Sequence, residues 1–219
     1  MFTNNVFATR GCPYSCSFCS ISAIWGHGFR TRPIDDVLRE IETLDGAVLF
    51  FVDDNLIGNP VFAKELFRAL IPYKKKWGCQ ASINMARDEE LLRLAAESGC
   101  VAVAIGFESL STAKLAAINK KTNIVHEYEE AVRRIHHYGI AIQGSFIFGL
   151  DEDDREVFER TLRFAQKVEL ETAWFAPLTP YPGTLVFRSM EKEGRILSQD
   201  WSDYADIGGG VNFEPKLMS

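Results

Sequence analysis

The sequence lacks the features that mark a membrane protein, a secreted protein or a nucleic-acid-binding protein. It has no run of 18 apolar residues and no basic segment followed by an apolar leader, so we predict neither a membrane span nor a signal peptide. Positive charge is not in excess, because 24 Lys and Arg stand against 30 Asp and Glu, a net charge of −6. This balance gives no general electrostatic basis for binding nucleic acid, so such a partner is not expected.

Cysteine is scarce and unevenly distributed. Five cysteines in 219 residues do not make a disulfide scaffold, and a reducing cytoplasm is the expected setting. Cys79 and Cys100 lie in or beside apolar runs and are predicted to be buried thiols. The other three, Cys12, Cys16 and Cys19, share one short segment with the spacing C-x3-C-x2-C. This segment is the first candidate for a functional site.

Three closely spaced thiolates are typical ligands of an iron–sulfur cluster. Pro13 follows the first cysteine directly and disfavours helix there, which predicts a loop wrapping a metal centre. Clusters normally take four cysteines, and no fourth lies nearby, so one iron would remain open for a small molecule. Phe18, beside Cys19, is predicted to shield the cluster or to stack on that molecule.

The spacing of the three cysteines also fits a structural zinc site, a disulfide pair, or unpaired thiols in the core. Zinc prefers four ligands in paired knuckles, whereas the nearest histidine, His27, has no partner close in sequence. The cluster is therefore the favoured interpretation.

Alternating apolar runs and helical periodicity predict an α/β fold. Six runs are predicted as strands, at residues 6–8, 47–52, 79–84, 100–107, 140–148 and 172–176, with helices between them. Repeated βα units give a parallel sheet, and six units are too few to close an eight-fold barrel. We predict a partial (β/α)6 TIM-like barrel with outer helices over residues 1–195 and an irregular tail over 196–219. The alternative is a doubly wound sheet, but no Rossmann glycine fingerprint follows the first strand.

Unusual polar residues follow the predicted strands at their carboxyl ends, where parallel barrels place their chemistry. The members of this set are Cys12, Cys16 and Cys19, then Asp53, Asp54 and Asn55, then Asn84, then Glu108 and Ser109, then Gly149 to Glu152, and finally Thr179 with the prolines beside it. Because these strands were identified from apolar runs alone, the agreement is independent support for a site at this edge of the sheet.

The segment C-x3-C-x-aromatic-C resembles the signature of radical S-adenosylmethionine (SAM) enzymes. The resemblance implies that Cys12, Cys16 and Cys19 are the metal ligands of a catalytic 4Fe-4S cluster, whose open iron chelates the amino and carboxylate groups of SAM. One electron then cleaves SAM to a 5′-deoxyadenosyl radical, which abstracts hydrogen from a small-molecule substrate. An electron-donor protein would be a partner.

The same resemblance assigns roles to residues beyond the cysteines. Asp53 and Asp54 stand where the family usually has a Gly-Gly-Glu segment that binds the methionine amino group, although a divalent-metal pair or a helix cap would also explain them. Glu108 and Ser109 resemble a Gly-x-Glu-Ser segment that contacts the methionine or the ribose, with a structural salt bridge as the alternative for Glu108. Gly149 would let the backbone approach the adenine. Glu152 is expected either to bind the ligand or to cap the following helix.

A finer resemblance extends to the branch of the family that usually carries a cobalamin-binding domain, many of whose members are methyltransferases. No Asp-x-His-x-x-Gly cobalamin motif is present, so cobalamin is expected only if a separate domain or a cobalamin-binding partner chain supplies it. Rival hypotheses are a cluster-binding but inactive core, a zinc-binding interaction module and a relative of tRNA methylthiotransferases. The last would need a second cluster and a basic surface, and the sequence offers neither.

Overall fold

Six parallel strands form the central sheet of the computed structural model, which describes residues 4–26, 28–204 and 210–218. His27 and residues 205–209 and 219 of the predicted tail lie outside the described residues. The strands are β1 (Asn4–Val6), β2 (Val48–Phe51), β3 (Lys76–Ala81), β4 (Cys100–Glu108), β5 (Ala141–Phe148) and β6 (Thr172–Pro177).

Eight α-helices are assigned within the described residues. They are α1 (Ser20–Trp25), α2 (Ile34–Glu42), α3 (Pro60–Leu70), α4 (Glu89–Glu97), α5 (Thr112–Ala117), α6 (Tyr128–His137), α7 (Val157–Lys167) and α8 (Leu185–Lys192). Polar caps start several of them: the Asn59 side chain accepts from the backbone N–H of Val61 and Phe62 ahead of α3, and Asp88 accepts from Leu91 ahead of α4. None of the described helices is long and apolar enough to cross a membrane.

The order of the strands in the sheet is the order of the strands in the chain. Each neighbouring pair from β1 to β6 is parallel. The sheet has no point at which the order reverses, so the predicted partial TIM-like barrel is confirmed and the doubly wound alternative is wrong. All six carboxyl ends consequently lie along one edge of the sheet.

Several element boundaries differ from the prediction. Strand β1 ends at Val6 instead of residue 8, because the backbone N–H groups of Ala8 and Thr9 donate to the Asp53 side chain and not to β2. Strand β3 begins at Lys76 and ends at Ala81, and a 3₁₀ turn over Ile83–Arg87 takes the place of its predicted end. The short helices α1 and α5 were not predicted, because six residues carry too little periodicity to detect.

The predicted tail packs back on the barrel where it is described. Ile196 and Phe213 form an isolated antiparallel bridge, and Phe213 is only 1% exposed. Its ring lies so close to Gly149 that a Cβ added there would be 2.7 Å from the ring. The division into a barrel and a tail near residue 195 stays a prediction.

A buried ion pair fixes the loop that follows β5. Lys114 on α5 pairs with Asp153, and both side chains are at least nine-tenths buried. The second carboxylate oxygen of Asp153 accepts from the backbone N–H groups of Gly149 and Leu150, at 2.9 and 3.0 Å. Asp153 therefore ties this loop to α5 and does not cap α7, which has no side-chain cap.

We expect Lys114→Met to lower the free energy of unfolding by about 3 kcal/mol, because it leaves the buried Asp153 charge without its cation. Chemical denaturation measures this. The matched control is Arg93→Met, which breaks an exposed pair with Glu97 and should leave stability essentially unchanged. Equal effects of the two substitutions would contradict the assignment.

Candidate functional site

A cavity of about 340 Å³ opens at the carboxyl edge of the sheet. The loop between β1 and α1 covers one side of it, and the ends of β2, β3, β4 and β5 form the other. Its lining residues are Cys12, Tyr14, Cys16, Phe18, Cys19, Ile21, Asp54, Asn55, Gln80, Ala81, Ser82, Ala104, Gly106, Glu108, Lys120, Thr122 and Ser145. Residues predicted from separate strand ends thus meet in one place.

The three cysteines share this cavity without converging on one point. Each is half-buried and none is in a disulfide. Within the described ranges, no group of three or more His, Cys, Asp or Glu side chains is arranged to hold a single metal ion. A tetrahedral zinc site would need its sulfur ligands about 4 Å apart, given Zn–S bonds near 2.3 Å. A cluster binds each thiolate through a different iron, so it fits three thiols that line one cavity from separate positions.

Burial controls the protonation of these thiols. Desolvation raises the pKa of Cys16 to about 11, although the positive charge of Lys120 acts to lower it. Desolvation also raises the pKa of Cys19. In the bare chain these thiols are therefore protonated at neutral pH, and coordination to a metal would release their protons.

Hydrogen bonds from distant elements fix the cysteine loop. The Asn119 amide donates to the carbonyl of Ser15 at 2.6 Å, and the backbone N–H of Ser17 donates to the Ile118 carbonyl at 2.9 Å. Val186, at the start of α8, donates its N–H to the Ser17 carbonyl at 3.0 Å. The loop conformation is therefore set by α5 and α8 as well as by its own sequence.

The two neighbouring aspartates after β2 have different surroundings. Asp53 is fully buried, and its carboxylate accepts from the backbone N–H of Ala8, at 3.1 Å, and from the N–H and hydroxyl of Thr9. Burial raises the pKa of Asp53, and the hydrogen bonds from Thr9 and Ala8 act against that rise. Asp54 lines the cavity and accepts from the Gly11 N–H at 2.9 Å. The structure brings Asp54 to the cysteines and leaves Asp53 outside the cavity lining.

Glu108 pairs with a lysine that the sequence prediction missed. Lys120 Nζ lies 2.7 Å from Glu108 Oε1, and both side chains are largely buried. Desolvation acts to lower the pKa of Lys120, but the charge and the hydrogen bond of Glu108 act to raise it and the net shift is upward. The Lys120 ammonium also lies 6.0 Å from the centre of the Phe18 ring. In the sequence Lys120 stands beside Lys121, and no local signal distinguishes the buried lysine from the exposed one.

Glycine at position 106 makes room for the Glu108 carboxylate. A Cβ at Gly106 would lie 2.1 Å from Glu108 Oε1. Glu108 itself adopts a φ of 61°, an uncommon backbone conformation for a residue with a side chain. The strand therefore ends in a local geometry that turns this carboxylate over the strand and towards Lys120.

Besides Asp53, three predicted site residues lie outside the cavity lining. Ser109 is buried and its hydroxyl accepts from the Ser111 N–H at 3.2 Å, in the turn before α5. Gly149, with a φ of 95°, lines an apolar cavity beside Phe213. Glu152 is exposed and borders a third cavity near Lys114. For Gly149, the close approach that glycine permits is to Phe213 of the tail.

The Asn55 side chain donates a hydrogen bond to the sulfur of Cys12. Its amide nitrogen lies 3.8 Å from Cys12 Sγ and 2.6 Å from Ser82 Oγ. Asn55 is 4% exposed, and its amide oxygen has no hydrogen-bond partner among the described residues. The sequence placed Asn55 at a strand end but gave no role for it.

Comparison with known proteins gives matches along most of the chain. Residues 6–165 match the Radical SAM superfamily. Bacteriochlorophyllide d C-12(1)-methyltransferase of Chlorobaculum tepidum is 37% identical, over 97% of this chain and 47% of that protein. Hopanoid C-2 methylase of Rhodopseudomonas palustris is 31% identical, over 88% of this chain and 38% of that protein.

A solved structure resembles the fold. The radical S-adenosylmethionine methyltransferase TsrM from Kitasatospora setae, solved with cobalamin and a [4Fe-4S] cluster bound, superposes with a TM-score of 0.79 at 19% identity. The match covers 87% of this chain and 39% of TsrM. The chain thus spans less than half the length of these relatives.

Substitution of the two aspartates should separate a structural carboxylate from one that faces the cavity. Asp53→Ala should lower the free energy of unfolding by about 3 kcal/mol or more, because it leaves the buried N–H groups of Ala8 and Thr9 without a hydrogen-bond acceptor. Asp54→Ala should cost only about 1 kcal/mol, the value of one hydrogen bond. Urea denaturation of the two variants makes the comparison, and a larger loss for Asp54→Ala would refute it.

Proposed function

Because the chain belongs to the radical SAM superfamily, we propose that Cys12, Cys16 and Cys19 hold a 4Fe-4S cluster and that the chain cleaves SAM reductively. The observation that carries the proposal is the meeting of three unpaired cysteines with a buried Lys–Glu pair in one cavity at the strand ends. When bound, the cluster supplies one electron, which breaks a carbon–sulfur bond of SAM to give methionine and a 5′-deoxyadenosyl radical.

The charged lining residues suit the amino-acid end of SAM. Lys120 is the one cation among the described residues of the lining, so we assign it to the methionine carboxylate. Asp54 keeps free lone pairs after its bond to Gly11 and is assigned to the methionine ammonium. Glu108 holds Lys120 in place, and Ser109 is proposed to fix the turn that presents Glu108.

Apolar and glycine residues are proposed to shape the rest of the ligand site. Phe18, on the cavity wall beside Cys19, is proposed to exclude water from the cluster. Gly149 directly follows the carboxyl end of β5. On this ground we keep the prediction that its backbone contacts the adenine. Asp53 is proposed to act indirectly, through the backbone that leads to Cys12. For Glu152, which is exposed and does not line the cysteine cavity, a binding role also remains only a prediction.

A finer proposal concerns the reaction that the radical serves. The relatives' names describe methyl transfer to bacteriochlorophyllide d and to a hopanoid, and cyclisation of magnesium-protoporphyrin IX monomethyl ester in Cereibacter sphaeroides. We propose a methyl transfer or a related radical step on a small molecule, with an electron-donor protein as reductant in a reducing cytoplasm. Cobalamin would come from a separate domain or a partner chain. The rival is a core that binds the cluster but does not cleave SAM.

Anaerobic reconstitution tests the central proposal. The wild-type chain should bind about four irons and four sulfides and should form 5′-deoxyadenosine when reduced with SAM. Cys16→Ala should lose both, whereas Cys79→Ala, at a buried thiol outside the cavity, should retain both. A cluster without 5′-deoxyadenosine would favour the inactive core, and one zinc without sulfide would favour the zinc module.

Replacing Lys120 tests the assignment of the carboxylate. We expect Lys120→Met to weaken SAM binding to the reconstituted protein by about 10- to 100-fold, because one charge-assisted hydrogen bond is worth about 1.5–3 kcal/mol. Lys120→Arg should retain most of the affinity, and Lys121→Met, at the exposed neighbour, should match the wild type. Anaerobic equilibrium dialysis measures the affinity, and thermal unfolding checks that each variant is folded. Unchanged affinity in folded Lys120→Met would contradict the assignment.

A further inference from the structure

The three cysteines do not share the same electrostatic surroundings. The positive charge of Lys120 acts on Cys16 and Cys19. Cys12 instead lies 3.8 Å from the side-chain amide nitrogen of Asn55, a distance at which an N–H group donates to sulfur. Cys19 also accepts hydrogen bonds from the backbone of Ile21 and Ser22, whereas the donor to Cys12 is a side chain that can be substituted.

The surrounding structure holds this amide in position. Asn55 lies at the turn after β2, where the Leu56 N–H bonds to the Gln80 carbonyl at 3.1 Å and the Gly58 N–H bonds to the Asn55 carbonyl at 3.0 Å. The amide nitrogen also donates to Ser82 Oγ at 2.6 Å, and Asn55 is only 4% exposed. The amide is thus directed at Cys12 by the backbone of two neighbouring strands.

Coordination of Cys12 would settle which end of the amide faces the sulfur. A thiol can donate or accept, so the bare chain tolerates either orientation of an asparagine amide. A thiolate bound to iron has no proton and only accepts. The nitrogen end must then face Cys12, which leaves the amide oxygen without a partner, as it stands in the structure.

We propose that Asn55 is a positioning residue whose N–H···S hydrogen bond to Cys12 raises the reduction potential of the cluster. The inference rests on the proposed function, because it takes Cys12 as a cluster ligand. Reduction adds an electron that is partly carried by the sulfur ligands, and a donor dipole on a ligand sulfur stabilises that charge. Hydrogen bonds to the sulfurs are among the factors that set cluster potentials. Asn55 would therefore help an external donor to reduce the cluster.

The test is an anaerobic redox titration of the reconstituted chain, followed by electron paramagnetic resonance in the absence of SAM. Asn55→Leu keeps the approximate side-chain size and removes the donor, so its midpoint potential should fall below that of the wild type. Asn55→Asp removes the donor and adds negative charge, so its potential should fall further. Ser82→Ala is the matched control, because it removes the other partner of the same amide and leaves the Cys12 contact, and its shift should be smaller than that of Asn55→Leu.

A second readout keeps the inference falsifiable if Asn55→Leu does not assemble a cluster. The iron–sulfur stretching bands of the wild type should shift on transfer to D₂O, and Asn55→Asp should lose part of that shift. A potential for either Asn55 variant equal to or above the wild type would overturn the inference, as would equal shifts for Asn55→Leu and Ser82→Ala. A wild-type chain without a cluster would overturn the proposed function as well, so the two failures are distinguishable.

Discussion

The buried carboxylate of Asp53 is the contact on which the position of the cysteine loop depends. It accepts from two successive backbone N–H groups, of Ala8 and Thr9, and from the Thr9 hydroxyl. These bonds take over where β1 stops pairing with β2, so the chain leaves the sheet in a fixed direction three residues before Cys12. A carboxylate can satisfy several donors at once, whereas an apolar side chain would leave them buried and unpaired. The short first strand and the defined loop are two results of the same contact.

The loop conformation is also fixed by hydrogen bonds to residues in the second half of the chain. Asn119 and Ile118 follow α5, and Val186 starts α8, yet all three bond to the loop backbone at Ser15 or Ser17. Because these partners are separated from the loop by about half the chain or more, the loop takes this conformation only when β4 and β6 are in place. Folding of the barrel and positioning of the thiols are therefore linked. If the three cysteines hold a cluster as proposed, a loop conformation that is already fixed limits the ordering cost of binding it.

Sequence patterns predicted the sheet well because apolar runs and parallel pairing have the same physical cause. A strand covered on both faces must be apolar throughout, and β2, β4 and β5 were found on that basis within about two residues of their observed bounds. The cysteine spacing and the polar strand ends likewise led to the residues that meet in the cavity. What the sequence did not predict depends on distant contacts. The roles of Asp53 and Asp54 differ because of residues 8 to 11, and Lys120 differs from Lys121 only through its burial beside Glu108.

The last three residues of β4 have three features that reduce the stability of the fold. The strand register shifts between Gly106 and Glu108, Glu108 takes a left-handed backbone conformation, and its carboxylate is buried with Lys120. Backbone strain of this kind costs on the order of 1–3 kcal/mol, and a buried ion pair is often no more stabilising than apolar side chains of similar volume. An apolar residue in a regular strand would therefore serve the fold at least as well. The geometry does one thing that such a residue could not: it keeps a single ammonium group, charged and fixed, on the wall shared with Cys16. The pair thus adds little to stability but keeps a fixed positive charge beside the cysteines, where we propose that it binds an anionic group.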